Sequence, residues 1–421
     1  MWMTPTSQQA LAIDGGTPVR QTLLPYGRQS IEEDDIQAVV EVLRSDWLTT
    51  GPKVGEFEEA LAARVGAKFA VAFSSGTAAL HGAAFAAGLK AGDEAITSPL
   101  TFAATANCML YQSARPVFAD VCPDTLNLNP ECLAKRVNRN TRAVFPVAYA
   151  GHPADMDAIL AIAEKRGLIV IEDACHALGA EYRGRRTGSV AHMSVFSFHP
   201  VKHVTTGEGG MVTTDRADFA ESLRRFRNHG ISSDALQRHA TGQWHYEMVA
   251  LGYNYRLTDV ACALAISQLK KIDANLARRR EIAEQYTVTF RGLRGIIVPS
   301  VREGVNPAWH LYPVRLDLAR LSTDRAQILK ALRAENIGVN IHYVPVHLHP
   351  YYRERFGYKP GDFPLAEAAS DQLISLPMFH GMTDQDVEDV IAAVNKVVTA
   401  YQVKGERSES LAFSRSVGEP T

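Results

Sequence analysis

The chain has 421 residues, 46% hydrophobic and 21% charged, enough apolar material for a buried core in one large domain plus a smaller one. Its 44 lysines and arginines face 46 acidic residues, so no net cationic field exists to hold nucleic acid or an anionic membrane. The start lacks a basic region followed by an apolar run, and no long uncharged apolar stretch suits a bilayer, so a cytoplasmic protein is expected.

Residues 1–22 are polar and aperiodic and are expected to be flexible. Short apolar runs follow at 69–73, 94–97, 116–118, 143–148, 168–172, 194–198 and 210–213, and these read as strands. Helical spacing over 78–87 and 156–165 supplies crossovers, which predicts an α/β domain over 23–265 with a largely parallel seven-stranded sheet. A long helical stretch then places Leu264, Leu269, Ile272 and Leu276 on one side and ends in the charged run at 278–281. Beyond it, an alternating run at 310–316, a helix over 323–334, a strand-like 339–344 and a helix over 387–398 predict a smaller α+β domain at 266–402. The tail, 403–421, is rich in Ser, Glu and Arg and is expected to be disordered. Five scattered cysteines, Cys108, Cys122, Cys132, Cys175 and Cys262, outline no disulfide framework.

Chemistry concentrates in residues 194–210, Ser-Val-Phe-Ser-Phe-His-Pro-Val-Lys-His-Val-Thr-Thr-Gly-Glu-Gly-Gly. A strand delivers Ser197, then Lys202 five residues later, and turns through glycines into another apolar run. A lysine can form a Schiff base only if it loses its proton, and a partly desolvated place favours the neutral amine. A lone loop lysine is most often solvated, so its companions decide.

One companion is the apolar strand Ile169-Val170-Ile171-Glu172-Asp173-Ala174-Cys175-His176. A carboxylate at its end can bind a protonated pyridine nitrogen and keep that ring electron-poor; Asp173 is the candidate, and capping a turn is its alternative. Another is Ser74-Ser75-Gly76-Thr77 between a strand and a strong helix former, where backbone amides and the Thr77 hydroxyl suit a phosphate, although Ser and Thr also cap helices without ligands. Phe102, in Ser98-Pro99-Leu100-Thr101-Phe102, could cover a flat ring or pack in the core. Gly252-Tyr253-Asn254-Tyr255-Arg256-Leu257-Thr258-Asp259 sets polar groups before an apolar helix that Thr258 or Asp259 could cap.

Together these segments resemble the sugar aminotransferases of the DegT/DnrJ/EryC1/StrS family, from about Tyr26 to Val398. The resemblance implies an aspartate aminotransferase fold of type I, with pyridoxal 5′-phosphate as cofactor. It implies Lys202 as the Schiff-base lysine, Asp173 as the pyridine partner and His176 beside the ring. Gly76, Thr77 and Ser197 match phosphate-binding positions and Phe102 the stacking aromatic, while Asn254 matches a residue that reaches the phosphate from a second subunit, implying a homodimer with shared active sites. Some relatives carry histidine at the lysine position and dehydrate instead; Lys202 favours aminotransfer. His203 stands where close members often carry proline.

Residues 25–30, 45–52, 197–202 and 342–352 look most like the pseudaminic acid branch of that family. That branch implies an amine moved from glutamate to C4 of a UDP-linked 4-keto-6-deoxy-N-acetylhexosamine. Amination at C3, a dTDP- or GDP-linked sugar, or a regulator binding the cofactor without turnover stay open. A nucleotide-sugar pyrophosphate needs donors at the mouth of the site, for which Thr50, His199, Arg256, His342 and Tyr343 are the candidates; Arg256 could instead pair with an acid, and His342 could lie in a satisfied network.

A metal-dependent hydrolase is suggested by His342, His347, His349 and Cys175-His176, with alternation placing His347 and His349 on one side. No His-Glu-x-x-His element accompanies them, so no metal is expected. Gly207-Glu208-Gly209-Gly210 lacks the spaced glycines of a dinucleotide turn.

Overall fold

Nine strands of the first part of the chain are β1 (Phe69–Phe73), β2 (Glu94–Thr97), β3 (Arg115–Phe118), β4 (Thr141–Phe145), β5 (Ile169–Asp173), β6 (Glu181–Tyr182), β7 (Arg185–Arg186), β8 (Met193–Ser197) and β9 (Gly210–Thr214). The computed structural model describes residues 10–232, 242 and 244–403. Seven of these strands form the central sheet in the order β1-β9-β8-β5-β4-β2-β3. The ladders from β8 through β5, β4 and β2 to β3 are parallel, and β9 alone runs antiparallel to its neighbours β1 and β8. The expected α/β fold with a large, mostly parallel sheet is therefore observed.

The sheet is buried on both faces, and strand alternation sends successive side chains to opposite layers. Val71 and Phe73 join one core with Leu80, Phe145 and Val195, whereas Ala70 and Ala72 join Phe57, Phe196 and Leu276 on the other side. The helix Gly76–Ala86 starts at once after β1, with Ser75 as its cap: Ser75 Oγ accepts from the Ala78 amide. Strands β1, β5 and β8 thus bring their chemically marked ends to one edge of the sheet, where ligands of such sheets bind.

A second core lies around the helices Ile272–Phe290, Arg325–Ala334 and Asp384–Ala400. With β11 (Val305–Asn306) diverted to pair with β6, the strands β10 (Ile296–Ile297), β12 (Tyr312–Leu316) and β13 (Leu373–Leu376) form a small antiparallel sheet in the order β10-β12-β13. Tyr286, Tyr312, Ile328 and Val394 are buried between them.

Three expectations need correction. Residues 10–22 are not loose: Leu11 is buried in the second core, and the Ala12 and Val19 amides both donate to the buried Glu335 carboxylate at 2.9 Å. The long helical stretch is two helices, Asp259–Lys270 and Ile272–Phe290, meeting at Lys271. Residues 339–344 form no strand, only an isolated bridge between Asn340 and Ser375. Two further helices, Glu33–Leu43 and Pro52–Val65, precede the sheet, the second burying Val54, Phe57, Leu61 and Val65 on one face. The expectations for residues 1–9 and 404–421 fall outside the described residues. Among the described residues no helix is long and apolar enough to cross a membrane.

Candidate active site

At the end of β8 the chain turns back sharply. The Phe198 amide donates to the Gly209 carbonyl and the Thr206 amide to the Phe198 carbonyl, which closes a loop whose tip carries Lys202. That side chain enters a cleft of about 430 Å³ between the sheet edge and the second core. Its Nζ lies 3.4 Å from His310 Nε2. Burial lowers its pKa, with Arg279 adding to the effect and Cys175 and Asp173 opposing it.

Strand alternation separates the two acids at the end of β5. Glu172 turns away into the protein, where its Oε2 accepts from Ser194 Oγ at 3.0 Å and burial raises its pKa to about 7. Asp173 lines the cleft. Its Oδ2 accepts from Thr105 Oγ1 at 2.6 Å and its Oδ1 from the Cys175 amide at 3.2 Å, so the carboxylate is fixed rather than mobile. It accepts from the Cys175 amide, the turn contact foreseen as its alternative, and lines the cleft as well.

His176 sits one turn further on. Its Nε2 is 3.0 Å from the Tyr343 hydroxyl, and its ring centroid is 4.4 Å from that of His310. Burial pushes both imidazoles well below their usual range, so both are neutral. The Nδ1 atoms of His176 and His310 are buried without a partner.

Opposite β5, the start of the helix Gly76–Ala86 meets Ser197. A Cβ on Gly76 would lie 2.9 Å from Ser197 Cβ, and one on Gly210 would lie 2.4 Å from the Ser75 carbonyl oxygen, so this close approach requires glycine at both places. Thr77, His199, His342 and Tyr343 also line the cleft, as does Phe102, which is 60% exposed and hence not core packing. His342 is additionally engaged through Nδ1 with Ser375 Oγ at 2.9 Å.

The structure does not bring every candidate together. Thr50, Asn254 and Arg256 lie outside the cleft of their own chain: Thr50 precedes Gly51, whose amide donates to Asp259; Asn254 is exposed; and Arg256 Nη1 donates to Asn228 Oδ1 at 2.8 Å. Thr258 does cap its helix, whereas Asp259 Oδ1 accepts from the Gly51 and Val54 amides of another. His347 is not on a strand beside His349 but in a short 3-10 turn, Val346–Leu348, with its Nε2 3.0 Å from Glu367 Oε1. Sequence reading missed His310 and Thr105 in the site. Neither sits in a motif, and only the crossing of separate elements brings them to Lys202 and Asp173.

A doubly covered, mostly parallel sheet thus carries a half-buried lysine and a fixed aspartate in one cleft at its edge. The chain belongs to the DegT/DnrJ/EryC1/StrS aminotransferase family, whose profile matches residues 29–395. It is 47% identical over 382 residues to the uncharacterized protein MJ1066 of Methanocaldococcus jannaschii, covering 90% of this chain and 99% of that one. It is 45% identical over 381 residues to the spore coat polysaccharide biosynthesis protein SpsC of Bacillus subtilis, covering 90% and 98%. Among solved structures, the putative sugar aminotransferase Spr1654 of Streptococcus pneumoniae in its PMP form superposes with a TM-score of 0.85 at 30% identity, over 90% of this chain and 99% of that one. Helicobacter pylori PseC, an aminotransferase of pseudoaminic acid biosynthesis, superposes with a TM-score of 0.84 at 31% identity, over 90% and 100%.

The residues present fit the family's pyridoxal 5′-phosphate. An anionic phosphate suits the helix start at Gly76 with the Thr77 and Ser197 hydroxyls, the Asp173 carboxylate suits a protonated ring nitrogen, and the buried, unpartnered Nδ1 of His176 awaits a polar group.

Proposed function

We propose that the protein is a pyridoxal 5′-phosphate-dependent aminotransferase that moves an amino group from glutamate to C4 of a UDP-linked 4-keto-6-deoxy-N-acetylhexosamine. The observation that carries the reading is Lys202 and Asp173 lining one cleft. When bound, the cofactor supplies an electron sink for the carbanion formed as the proton leaves the donor carbon. Lys202 would hold it covalently, and its neutral amine would be placed to take up and return a proton at the substrate carbon. Asp173 keeps the ring nitrogen protonated, Gly76, Thr77 and Ser197 hold the phosphate, and Phe102 and His176 cover the ring.

His199, His342 and Tyr343 are assigned to the sugar nucleotide at the mouth. The functional unit is a homodimer, in which Asn254 of the partner subunit completes the phosphate site and Thr50 and Arg256 serve the neighbouring cleft. Their position outside their own cleft supports that reading, as do the exposed Met248 and Leu251 nearby. The likeness to PseC and the segments at 25–30, 45–52, 197–202 and 342–352 support the C4 amine. The higher identity to SpsC favours a second reading, in which another nucleotide-linked keto sugar is the acceptor.

The test is incubation with glutamate and a panel of UDP- and dTDP-linked keto sugars, with the new amine located by NMR. An amine at C4 of the UDP-linked 4-keto hexosamine is expected. An amine formed only on a dTDP-linked sugar would select the second reading, and none on any sugar would overturn both.

A further inference from the structure

Behind the cleft, outside the set of groups given a role so far, Arg279 lies on the helix Ile272–Phe290 and is only 1% exposed. A buried guanidinium is costly unless it is paired. Yet among the described residues no carboxylate pairs with it: its Nη1 donates to the carbonyls of Trp309, His310 and Met378 at 3.1, 3.4 and 3.0 Å, and its Nε has no partner. Two of those carbonyls belong to the segment that presents His310 to Lys202.

We propose that Arg279 is a positioning residue for Lys202, holding the His310 imidazole against the amine and, by its uncompensated charge, biasing that amine toward its neutral form. The inference rests on Lys202 being the reacting amine. A salt bridge would have cancelled the charge; carbonyl partners anchor it and leave it positive. Its pKa, lowered to about 10 by burial, still leaves the group charged at neutral pH.

Burial depresses Lys202, His203, His310 and His380 most, and the Arg279 charge adds to it at each of them. From β5 and the turn after it, Asp173 and Cys175 act on Lys202 in the opposite sense, while His176 faces His310 as a neutral ring. The amine therefore stands between one fixed cation and one fixed carboxylate, with Arg279 adding to burial on the side that frees the lone pair.

The test uses cofactor-free protein and acetic anhydride, with acetylation of Lys202 followed by peptide mass spectrometry over roughly pH 6 to 10. The labelling midpoint of Lys202 is expected below that of the exposed Lys165. Arg279→Gln, which can still donate to carbonyls, should raise the midpoint by about one unit, cutting labelling roughly tenfold on the acid side; Arg279→Lys should restore the wild-type curve. A Lys202 midpoint equal to that of Lys165 in the wild type overturns the proposal whatever the variants do. So does an unchanged curve in Arg279→Gln with native circular dichroism. Because the readout needs no cofactor, a wrong assignment of Lys202 would surface in the cofactor spectrum and leave this curve intact.

Discussion

The Tyr343 hydroxyl lies 3.0 Å from His176 Nε2, so a residue that follows most of the second core in sequence closes over the end of β5. The contact continues from His176 to His310, ring on ring, and from His310 to the Lys202 amine. Three elements far apart in the chain thereby fix one another.

Removing that hydroxyl should loosen the site without unfolding the protein. In Tyr343→Phe the His176 ring loses the partner of Nε2 while its Nδ1 already has none. Cofactor affinity should fall about tenfold, which is the net worth of one buried hydrogen bond, with little change in melting temperature. Fluorescence titration with pyridoxal phosphate measures it, and an unaltered affinity would contradict the assigned role.

Asp173→Asn keeps the shape of the side chain and its contact to Thr105 but removes the charge that holds a ring nitrogen protonated. Turnover should fall by at least about a hundredfold, with the fold retained by circular dichroism. Near-wild-type turnover would mean that another group serves the ring.

Gly76→Val would place a branched side chain where a single Cβ already meets Ser197 at 2.9 Å. Both walls of the phosphate site would have to part. The variant should fold and bind pyridoxal phosphate at least about tenfold more weakly; equal binding in a parallel titration would show that the phosphate lies elsewhere.

The fold was largely legible because a parallel sheet buried on both faces writes each strand as a short apolar run, and all seven runs coincide with strands to within a few residues. Asp173 and Lys202 stand out in the sequence because Asp173 ends one such run and Lys202 follows another by four residues. His310 was not: it precedes β12, and only the packing of the second core against the sheet delivers its ring to the lysine. Residues 10–22 carry no local pattern for a similar reason, since their order comes from distant partners: Glu335 for the Ala12 and Val19 amides, Lys396 for the Thr17 carbonyl, and Asp386 and Asp389 for Arg20.

That anchor can be tested. Glu335 is fully buried and accepts from the Ala12 and Val19 amides and from Lys396 Nζ, each at 2.9 Å. Glu335→Ala leaves the two amides unsatisfied and the Lys396 ammonium, which also donates to the Thr17 carbonyl, without its carboxylate, and should cost about 3 kcal/mol in chemical denaturation. A loss within error of zero would show that the segment is held by its other contacts.

Acid should destabilise the protein through its buried histidines. His81, enclosed by Tyr111, Phe226 and Tyr253, and His342 are both lowered by burial from an ordinary value of 6.5 to about 4. Their folded pKa values lie below the unfolded ones, so the unfolded chain binds protons first, and the stability they allow is complete above 6.5 and lost as pH falls toward 4. The melting temperature should drop by at least about 5 °C across that window, and His81→Phe should flatten the drop. A melting temperature constant across it would contradict the neutral burial of these rings.

The most direct measurement is borohydride reduction of the protein after treatment with pyridoxal phosphate, followed by peptide mass spectrometry. A pyridoxyl mass on Lys202, with the visible absorption band and the mass both gone in Lys202→Ala, is the predicted result. A pyridoxyl group on any other lysine, or a band that survives in Lys202→Ala, would contradict the account.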